Sequence, residues 1–427
     1  MAVNCLRTWE VIHKGPKGEF KRVITGAYSV KASLKLNSPG LLVLELPSVY
    51  CDQTVGGYAI SDFNEMDRLE LWYQIGNGAK RLLDDTAFFV VNLQSARDRD
   101  GKRITVVEAD TALAITETRI NPYNSESPNS DLVDRATSDQ MKFIFDNNFG
   151  AGASSYVATP DPLRTALFDQ GLLTIQANDG YGPVWKEDIE NSVILDVLQS
   201  IADFSFGQGF PLFYDIVQQG AYGAFQFQTF NGQRRTDRSV VGASGHFVAS
   251  PENRTIADYR LEIDWRSKIN RMYAAGEGEG AARPYVTADD PDTATLTNTI
   301  LNVNPWVLRE QFTSVSSDNI DDINNAAKAE LQATKATVQA SGKLGETPVY
   351  VFGQDYDYGD KISVYIEGNF LPVHISSLTL ELKDGREDLA LEFTTELSRN
   401  LQGIGSVLQE ISRIKKSLRK FETREYA

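Results

Sequence analysis

Alternating apolar and polar residues predict strands over the first quarter of the chain. The alternation runs through residues 23–48 and is clearest in a hairpin, where 87–99 and 102–110 flank an Asp-Gly pair. Asp-Gly suits the positive φ angles of a tight hairpin turn. These segments together predict a β domain of roughly 110 residues.

The middle of the chain changes to helical spacing. Apolar residues recur at every fourth position, at Ile189, Val193, Val197 and Ile201. This spacing places them on one face of a helix, which we predict over residues 187–204.

The remaining elements follow weaker patterns of the same two kinds. Two short helices and one long, polar, Ala-rich helix are predicted at 139–149, 162–170 and 318–340. Strands are predicted at 211–230, 255–275 and in several segments of 347–397. No period of 20 to 50 residues repeats, so neither a solenoid nor a propeller is expected.

The last segment, residues 401–427, follows a heptad repeat. Its a and d positions are Ile404, Val407, Ile411, Ile414, Leu418 and Phe421. Ile at both positions shifts a coiled coil from dimers toward trimers or tetramers. Glu410 and Lys415 fall at g and the following e, where a parallel neighbour can pair them. We therefore predict a trimer interface formed by these eight residues; an amphipathic helix packed on its own domain is the alternative.

Charge and composition narrow the functional classes. The formal net charge is −16, whereas a protein that binds duplex DNA needs a basic face, so sequence-specific nucleic-acid binding is not expected. No signal-peptide pattern and no apolar run of membrane-spanning length is found. The two cysteines, Cys5 and Cys51, are too few for a disulfide framework and are expected to be reduced, as in a cytoplasm.

Candidate chemistry is sparse. The three histidines, His13, His246 and His374, lie in no zinc-ligand or metalloprotease spacing, and each is expected to be a packed or surface residue. The Gly-Glu repeat at 276–280 lacks the Lys-Ser/Thr that follows a phosphate-binding loop, and its two glutamates would repel phosphate. No cofactor, metal or catalytic residue is predicted.

An acidic segment at 355–360 offers Asp355, Asp357 and Asp360 as oxygen ligands. A calcium loop of the helix–loop–helix type needs a central Gly and a bidentate Glu at position 12, but Ile366 occupies that position here. We interpret the segment as a turn that leads into a strand.

Several segments in a fixed order carry a family resemblance. In 231–283, an Arg-Thr turn, a strand and Lys-x-Asn precede a Gly-rich stretch that ends in Arg. In 349–368, a Tyr-rich strand precedes the turn Asp-Tyr-Asp-Tyr-Gly-Asp, which is similar to the Asp-x-x-Gly-Asp turn of the family named below. Together with 26–47, 106–122 and 187–209, these motifs resemble the hub, or minor tail, proteins of long-tailed phages, which are tail-tip subunits similar to the baseplate hub of contractile phages.

The resemblance implies an α+β, mainly β fold. It would contain two tube-like β-barrel or sandwich domains, an α+β insert, a helical insert and a C-terminal coiled-coil helix. The implied parts are a first tube-like domain (1–112), a peripheral α+β domain (113–240), a second tube-like domain (241–275 and 346–397), an insert with a helix (276–345) and the heptad helix (398–427).

The resemblance also implies a structural, non-enzymatic role at the virion tail tip, after synthesis in the host cytoplasm. Three chains, with two tube-like domains each, would form a homotrimer that caps the tail tube and forms or gates the DNA exit channel. The implied partners are a distal tail protein ring, the tape-measure protein and, as a further option, tail fibre or tip proteins. DNA would be only a passing cargo.

Three other functions stay open. A hub of a contractile injection system or phage-like particle would use the same fold. A tail-associated cell-wall hydrolase would need a nucleophile, a metal or a pair of carboxylates that the sequence does not single out. A saccharide-binding module would need exposed aromatic rings, whereas the five tryptophans lie in predicted strands or before helices: Trp9, Trp72, Trp185, Trp265 and Trp306.

Overall fold

A computed structural model describes most of the chain. The described residues are 7–48, 57–97, 101, 103–122, 135–153, 161–185, 189, 191–219, 223–242, 245–264, 268–278, 283–289, 308–315, 319–333, 337–347 and 350–395. The chain divides into two compact units. The first contains Met1–Ser205, Phe210–Tyr259 and Ser341–Ala427, and the second contains Phe206–Gly209 and Arg260–Ala340.

Strands dominate the described part, with 48% of residues in strands and 18% in helices, so the prediction of a mainly β fold is confirmed. The strands are β1 (Arg7–Lys14), β2 (Phe20–Ile24), β3 (Ser29–Lys35), β4 (Ser38–Pro47), β5 (Arg68–Ile75), β6 (Arg81–Leu82), β7 (Phe88–Arg97), β8 (Arg103–Thr111), β9 (Leu173–Ile175), β10 (Leu212–Gln219), β11 (Ala224–Asn231), β12 (Val248–Ala249), β13 (Ile256–Asp264), β14 (Arg271–Ala275), β15 (Tyr285–Asp289), β16 (Glu310–Ser314), β17 (Thr337–Leu344), β18 (Lys361–Ile366), β19 (Asn369–Lys383) and β20 (Arg386–Thr394).

The helices are fewer. They are α1 (Thr137–Phe149), α2 (Pro162–Asp169), α3 (Ile194–Gly207) and α4 (Ile320–Ala333), with short 3-10 turns at Ile60–Asp62, Leu83–Asp85 and Ala112–Glu117. Among the described residues, no helix is long and apolar enough to cross a membrane.

One large sheet joins strands from both ends of the chain. Its order is β13-β17-β20-β19-β3-β4-β8-β7-β5-β1-β2, with β18 on β19 and β6 on β5. The two ends meet where β3 pairs antiparallel with β19, so that Leu34 lies opposite Leu378 and Ala32 opposite Leu380. All four side chains are buried. The β parts predicted at the start and end of the sequence therefore share one hydrogen-bonded sheet.

The sheet forms where the sequence alternates. In β4, Leu42, Leu44 and Leu46 are fully buried on one face, because successive side chains of a strand point to opposite faces. On the other face Val43 packs with Ile104 and Val106 in a smaller apolar cluster.

The α+β part of the first unit has a core of its own. The hairpin of β10 and β11 is extended by β9, which runs parallel to β11. The ring of Phe145 on α1 stacks on Phe227 of β11, with 4.1 Å between centroids and 8° between planes. Leu198 and Ile201 of α3 belong to the same buried cluster.

The helix predicted over 187–204 begins later than expected. It starts at Ile194 and continues to Gly207, because the preceding residues pair with another segment instead. The N–H of Asn191 donates to the carbonyl of Asn121 (2.7 Å), and Ile120 bridges to Val193. Asn191 also has a φ of 57°, which a helix cannot contain.

Two other boundaries differ from the expectation. The helix predicted over 318–340 ends at Ala333, and Thr337–Leu344 is a strand that pairs with β20. The strand predicted from residue 347 is a turn at its described end, where the carboxylate of Asp355 accepts a hydrogen bond from the N–H of Val351 (2.8 Å). Backbone pairing with the distant β20 determines the first boundary, and a local hydrogen bond from the main chain to a side chain determines the second; hydrophobic periodicity reports neither.

The second unit is a small two-layer structure. Its central strand β14 pairs antiparallel with β15 and parallel with β16. Helix α4 covers one face of this sheet, where a buried cluster is formed by Met272, Ala274, Ala288, Ile323, Ala327 and Leu331.

A close approach in β17 gives a direct test of the sheet. A Cβ added to Gly342 would lie 2.4 Å from the carbonyl oxygen of Asp258 and 2.7 Å from the ring of Phe393. We expect Gly342→Ala to lower the free energy of unfolding by roughly 1–3 kcal/mol, since overpacking forces neighbours to move. Urea denaturation measures it. Gly345→Ala is the matched control, because its nearest atom would be 3.7 Å away; equal stability of the two variants would contradict the pairing.

Candidate functional site: a buried ion-pair junction

Two of the sequence motifs meet in the first unit. After β11, residues 235–238 run beside 359–361: the N–H of Arg235 donates to Gly359 (3.1 Å), and the N–H of Lys361 donates to Thr236 (3.0 Å). Gly359 has a φ of 84°, and a Cβ there would lie 2.8 Å from the Arg234 side chain. Glycine is therefore required where the motifs cross.

Arg234 is the centre of a buried charge cluster. Its Nη2 lies 3.0 Å from Oδ2 of Asp215 and 3.5 Å from Oδ1 of Asp84. Its guanidinium also lies 4.1 Å from the centroid of the Phe230 ring. The arginine side chain is only 5% exposed, so its charge depends on these partners and not on water.

Arg235 binds the neighbouring carboxylates. Its Nη2 lies 2.9 Å from Asp85 and 3.4 Å from Asp84, and its Nη1 lies 3.9 Å from Asp357. Together with Arg234 this forms a network, which we call the junction, of two guanidinium groups and the four carboxylates of Asp84, Asp85, Asp215 and Asp357.

Asp360 extends the junction through the main chain. Its carboxylate accepts hydrogen bonds from the N–H groups of Thr236 (2.9 Å) and Asp357 (2.9 Å) and from Nε of Arg238 (2.8 Å). Nearby, Nζ of Lys361 lies 3.1 Å from Asp237. These bonds hold the two motifs side by side. They fit the interpretation of 355–360 as a turn that leads into a strand.

Carboxylates outnumber guanidinium groups in the junction, which affects their protonation. Burial raises the pKa of Asp84; Arg234 opposes the rise and the Asp215 charge adds to it. Burial likewise raises the pKa of Asp215 against the opposing effect of Arg234. Burial lowers the pKa of Arg235, but the charges of Asp357 and Asp84 outweigh this effect, and the net shift is upward. The arginines therefore keep their charge, and a proton taken up by the junction goes to an aspartate.

The junction connects three stretches of the first unit. Asp84 and Asp85 follow β6 near the start of the chain, Asp215 lies on β10, and Asp357 precedes β18. Asp84 and Asp85 have φ angles of 54° and 52°, in the left-handed region. Their sequence, Leu-Asp-Asp after a short strand, carried no signal for this geometry, and sequence reasoning missed them.

The three histidines lie apart from the junction's carboxylates. Nε2 of buried His13 lies 2.9 Å from Asp67, which also binds Nζ of Lys21. Burial lowers the pKa of His13 although the bond to Asp67 opposes this. The described polar partners of His13 are Asp67 and Arg22, so the pair ties β1 to the turn before β5.

The other two histidines have structural surroundings. His374 on β19 is buried, its ring centroid lies 5.1 Å from that of Phe213, and burial lowers its pKa to about 3. Nδ1 of His246 lies 2.7 Å from the carbonyl oxygen of Ser239.

Other predicted sites are only partly testable. Within the described ranges, no group of three or more His, Cys, Asp or Glu side chains could hold a metal ion. Cys5, Cys51 and the predicted trimer interface lie outside the described residues. That interface therefore stays a prediction: Ile404, Val407, Glu410, Ile411, Ile414, Lys415, Leu418 and Phe421.

Comparisons with known proteins give structural neighbours only. No protein-family model and no curated protein sequence matches the chain. The prophage tail protein gp18 of Listeria monocytogenes EGD-e is similar at 12% identity, with 95% of this chain and 99% of that chain covered and a TM-score of 0.47. The 43 kDa tail protein of prophage MuSo2 from Shewanella oneidensis is similar at 11% identity, with 91% and 98% covered and a TM-score of 0.48.

A third neighbour comes from a secretion complex. A chain of the Francisella PdpA-VgrG complex is similar at 12% identity, with 91% of this chain and 57% of that chain covered and a TM-score of 0.47. These three structural neighbours are thus two phage tail proteins and one chain of a VgrG complex.

The junction predicts a large cost for removing one cation. Arg234→Met leaves Asp84 and Asp215 buried without their shared partner, so we expect the free energy of unfolding to fall by about 3–5 kcal/mol. The matched control is Lys31→Met, which breaks a half-exposed pair with Glu381 (3.2 Å) and is expected to cost less than about 1 kcal/mol. Chemical denaturation compares them; similar losses would show that the junction is not a buried network.

The junction also predicts a pH dependence. A carboxyl whose pKa is raised by folding contributes stability that is present below the unfolded value of about 3.9 and is lost as the pH rises through the raised value. We expect stability to decline with rising pH more steeply in the wild type than in Asp84→Asn, whose amide does not titrate and tolerates the left-handed φ. Urea midpoints between about pH 4 and about pH 8 measure this; parallel curves would contradict it.

Proposed function

We propose that the chain is the structural hub of a phage tail tip. The observation that carries the proposal is the junction. The Arg-Thr turn at 235–236 and the acidic turn at 355–360 lie more than 100 residues apart in sequence, and they bind each other. The two motifs that carry the family resemblance therefore serve one structural purpose in this chain. The arginines of the first motif form ion pairs with the aspartates of the second.

The shared sheet supports a hub made of two β modules per chain. Strands β1–β8 and β17–β20 lie in one sheet and meet at β3 and β19. Three such chains supply six modules, which is the number needed to continue a hexameric tube. We propose that residues 1–112 and the pair 241–275 and 346–397 are these modules.

The heptad segment supplies the three-fold axis of the proposed trimer. Ile at both a and d positions favours more than two helices, and a bundle of three would narrow or plug the exit. The trimer would cap the tube and bind a distal tail protein ring and the end of the tape-measure protein. The net charge of −16 suits a conduit that repels the DNA that passes through it.

Light scattering of the purified chain tests the trimer. We expect a mass of about three times the 47.4 kDa of one chain, lost when the chain ends at Asn400 or carries Ile411→Asp together with Ile414→Asp, because two charges in the seam would be buried. Ser412→Asp with Lys416→Asp is the matched control, since both positions lie outside the a/d seam.

The outcomes separate the parts of the proposal. A trimer that survives truncation places the contacts in the β modules and removes the role of the heptad. A monomer in every case leaves no trimer in solution and contradicts a preformed hub. If Ile411→Asp together with Ile414→Asp leaves particle assembly and DNA retention unchanged, the plug hypothesis is wrong.

A further inference from the structure

The three-stranded sheet of the second unit has two faces of different character. Helix α4 covers one face, where Met272 and Ala274 of β14 are buried. Successive side chains of a strand point to opposite faces, so Tyr273 lies on the other face. That face is exposed to solvent: the side chain of Tyr285 on β15 is 55% exposed and that of Phe312 on β16 is 52% exposed. Large aromatic groups exposed together on a surface mark a site of interaction.

The register of the strands places the three rings side by side. Tyr273 lies directly opposite Phe312, and Ala275, two residues further along β14, lies opposite Tyr285. The ring centroids of Tyr273 and Tyr285 are 6.0 Å apart, and their planes differ by 30°. The rings of Tyr285, Tyr273 and Phe312 therefore follow one another across β15, β14 and β16, and we call them the aromatic platform.

Polar side chains on the same face hold the centre of the platform in place. The hydroxyl of Tyr273 donates to Oε1 of Glu310 (2.7 Å). Arg271 binds Asp289 through two hydrogen bonds, from Nε (2.7 Å) and from Nη2 (3.1 Å). Fixed groups lose little freedom when a ligand binds, which favours binding.

Arg283 is fixed beside the outer ring of the platform. Its Nε donates to the carbonyl of Gly276 (2.6 Å), its Nη2 donates to the hydroxyl of Ser314 (2.7 Å), and its guanidinium lies 5.7 Å from the centroid of the Phe312 ring. A guanidinium has five N–H donors, so Arg283 keeps donors for a ligand after both of these bonds.

The charges on this face cancel, which determines the kind of ligand. Two guanidinium groups, of Arg271 and Arg283, stand beside two carboxylates, of Asp289 and Glu310. A ligand therefore gains little from a net charge of its own, and the phosphates of a nucleic acid would be repelled by the carboxylates. The face favours a neutral ligand with an apolar surface for the rings and with hydroxyl groups for the polar side chains.

A saccharide meets these requirements better than a peptide does. The main-chain N–H and C=O groups of a sheet point toward neighbouring strands, so a peptide that lies across the face would find no main-chain partners there. A pyranose ring instead carries C–H bonds on its faces, which are attracted to the negative face of an aromatic ring, and hydroxyl groups at its edge.

We propose that the aromatic platform binds a neutral, β-1,4-linked chain of pyranose sugars. The C–H faces of successive sugars lie on the rings of Tyr285, Tyr273 and Phe312, and hydroxyl groups at the edges of the sugars bond to Arg283 and Glu310. Equatorial linkages give such a chain the form of a flat ribbon, which suits the face of a sheet. The inference goes beyond the proposed hub and does not depend on a trimer.

Isothermal titration calorimetry of the full chain with cellohexaose and with chitohexaose tests the proposal. We expect saturable binding of at least one of them, weakened roughly two- to tenfold in Phe312→Ala and in Tyr285→Ala, as for one lost ring contact. Tyr285→Phe keeps the ring and is expected to restore binding. Phe370→Ala is the matched control, because it removes a ring of similar exposure (57%) from β19 in the first unit, and we expect it to leave binding unchanged.

Three results would each overturn the proposal. The first is no saturable binding of either saccharide, or an equal loss in Phe312→Ala and Phe370→Ala. The second is tighter binding of a single-stranded oligothymidylate than of both saccharides, which would make the platform a nucleic-acid surface. The third is a chain mass in light scattering that falls in Phe312→Ala, which would make the platform a contact between copies of the chain. Circular dichroism of each variant verifies that the exposed substitutions leave the fold intact.

Discussion

The pairing of the buried Arg234 and the partly buried Arg235 with a surplus of aspartates is the constraint on which the first unit depends. Arg234 and Asp84 are buried, Arg235 is partly buried, and the carboxylates that pair with the two arginines belong to three distant stretches of chain. Each stretch carries charges that only the others neutralise. We therefore expect the three stretches to fold cooperatively, because a stretch that folded alone would bury a charge without its partner.

Local patterns were sufficient for several of the strands. The alternation in β4 and the hairpin pairings of β7 with β8 and of β10 with β11 need only neighbouring residues, and the structure contains all of them. The start of α3 and the identity of β17 depend on partners far away in sequence. The hydrogen bond from Asn191 to Asn121 fixes where α3 starts, and pairing with β20 makes β17 a strand. Helical spacing in the sequence does not reveal such backbone partners.

The candidate site was half visible in the sequence. Its motifs at 231–283 and 349–368 were recognisable in the sequence, but neither motif indicates that it contacts the other. Asp84 and Asp215 belong to no motif in the sequence, so only the fold identifies them. The heptad of 404–421 rests on periodicity alone and, since it lies outside the described residues, stays a prediction.

The pairing of β3 with β19 has a consequence for synthesis. The partners lie more than 340 residues apart in sequence, so most of the chain must leave the ribosome before the first strands find their neighbour. Contacts of such long range make folding slow. Until then β3 has an unpaired edge that can join a strand of another nascent chain. On a polysome that translates many copies at once, this strand is one that a chaperone would need to protect.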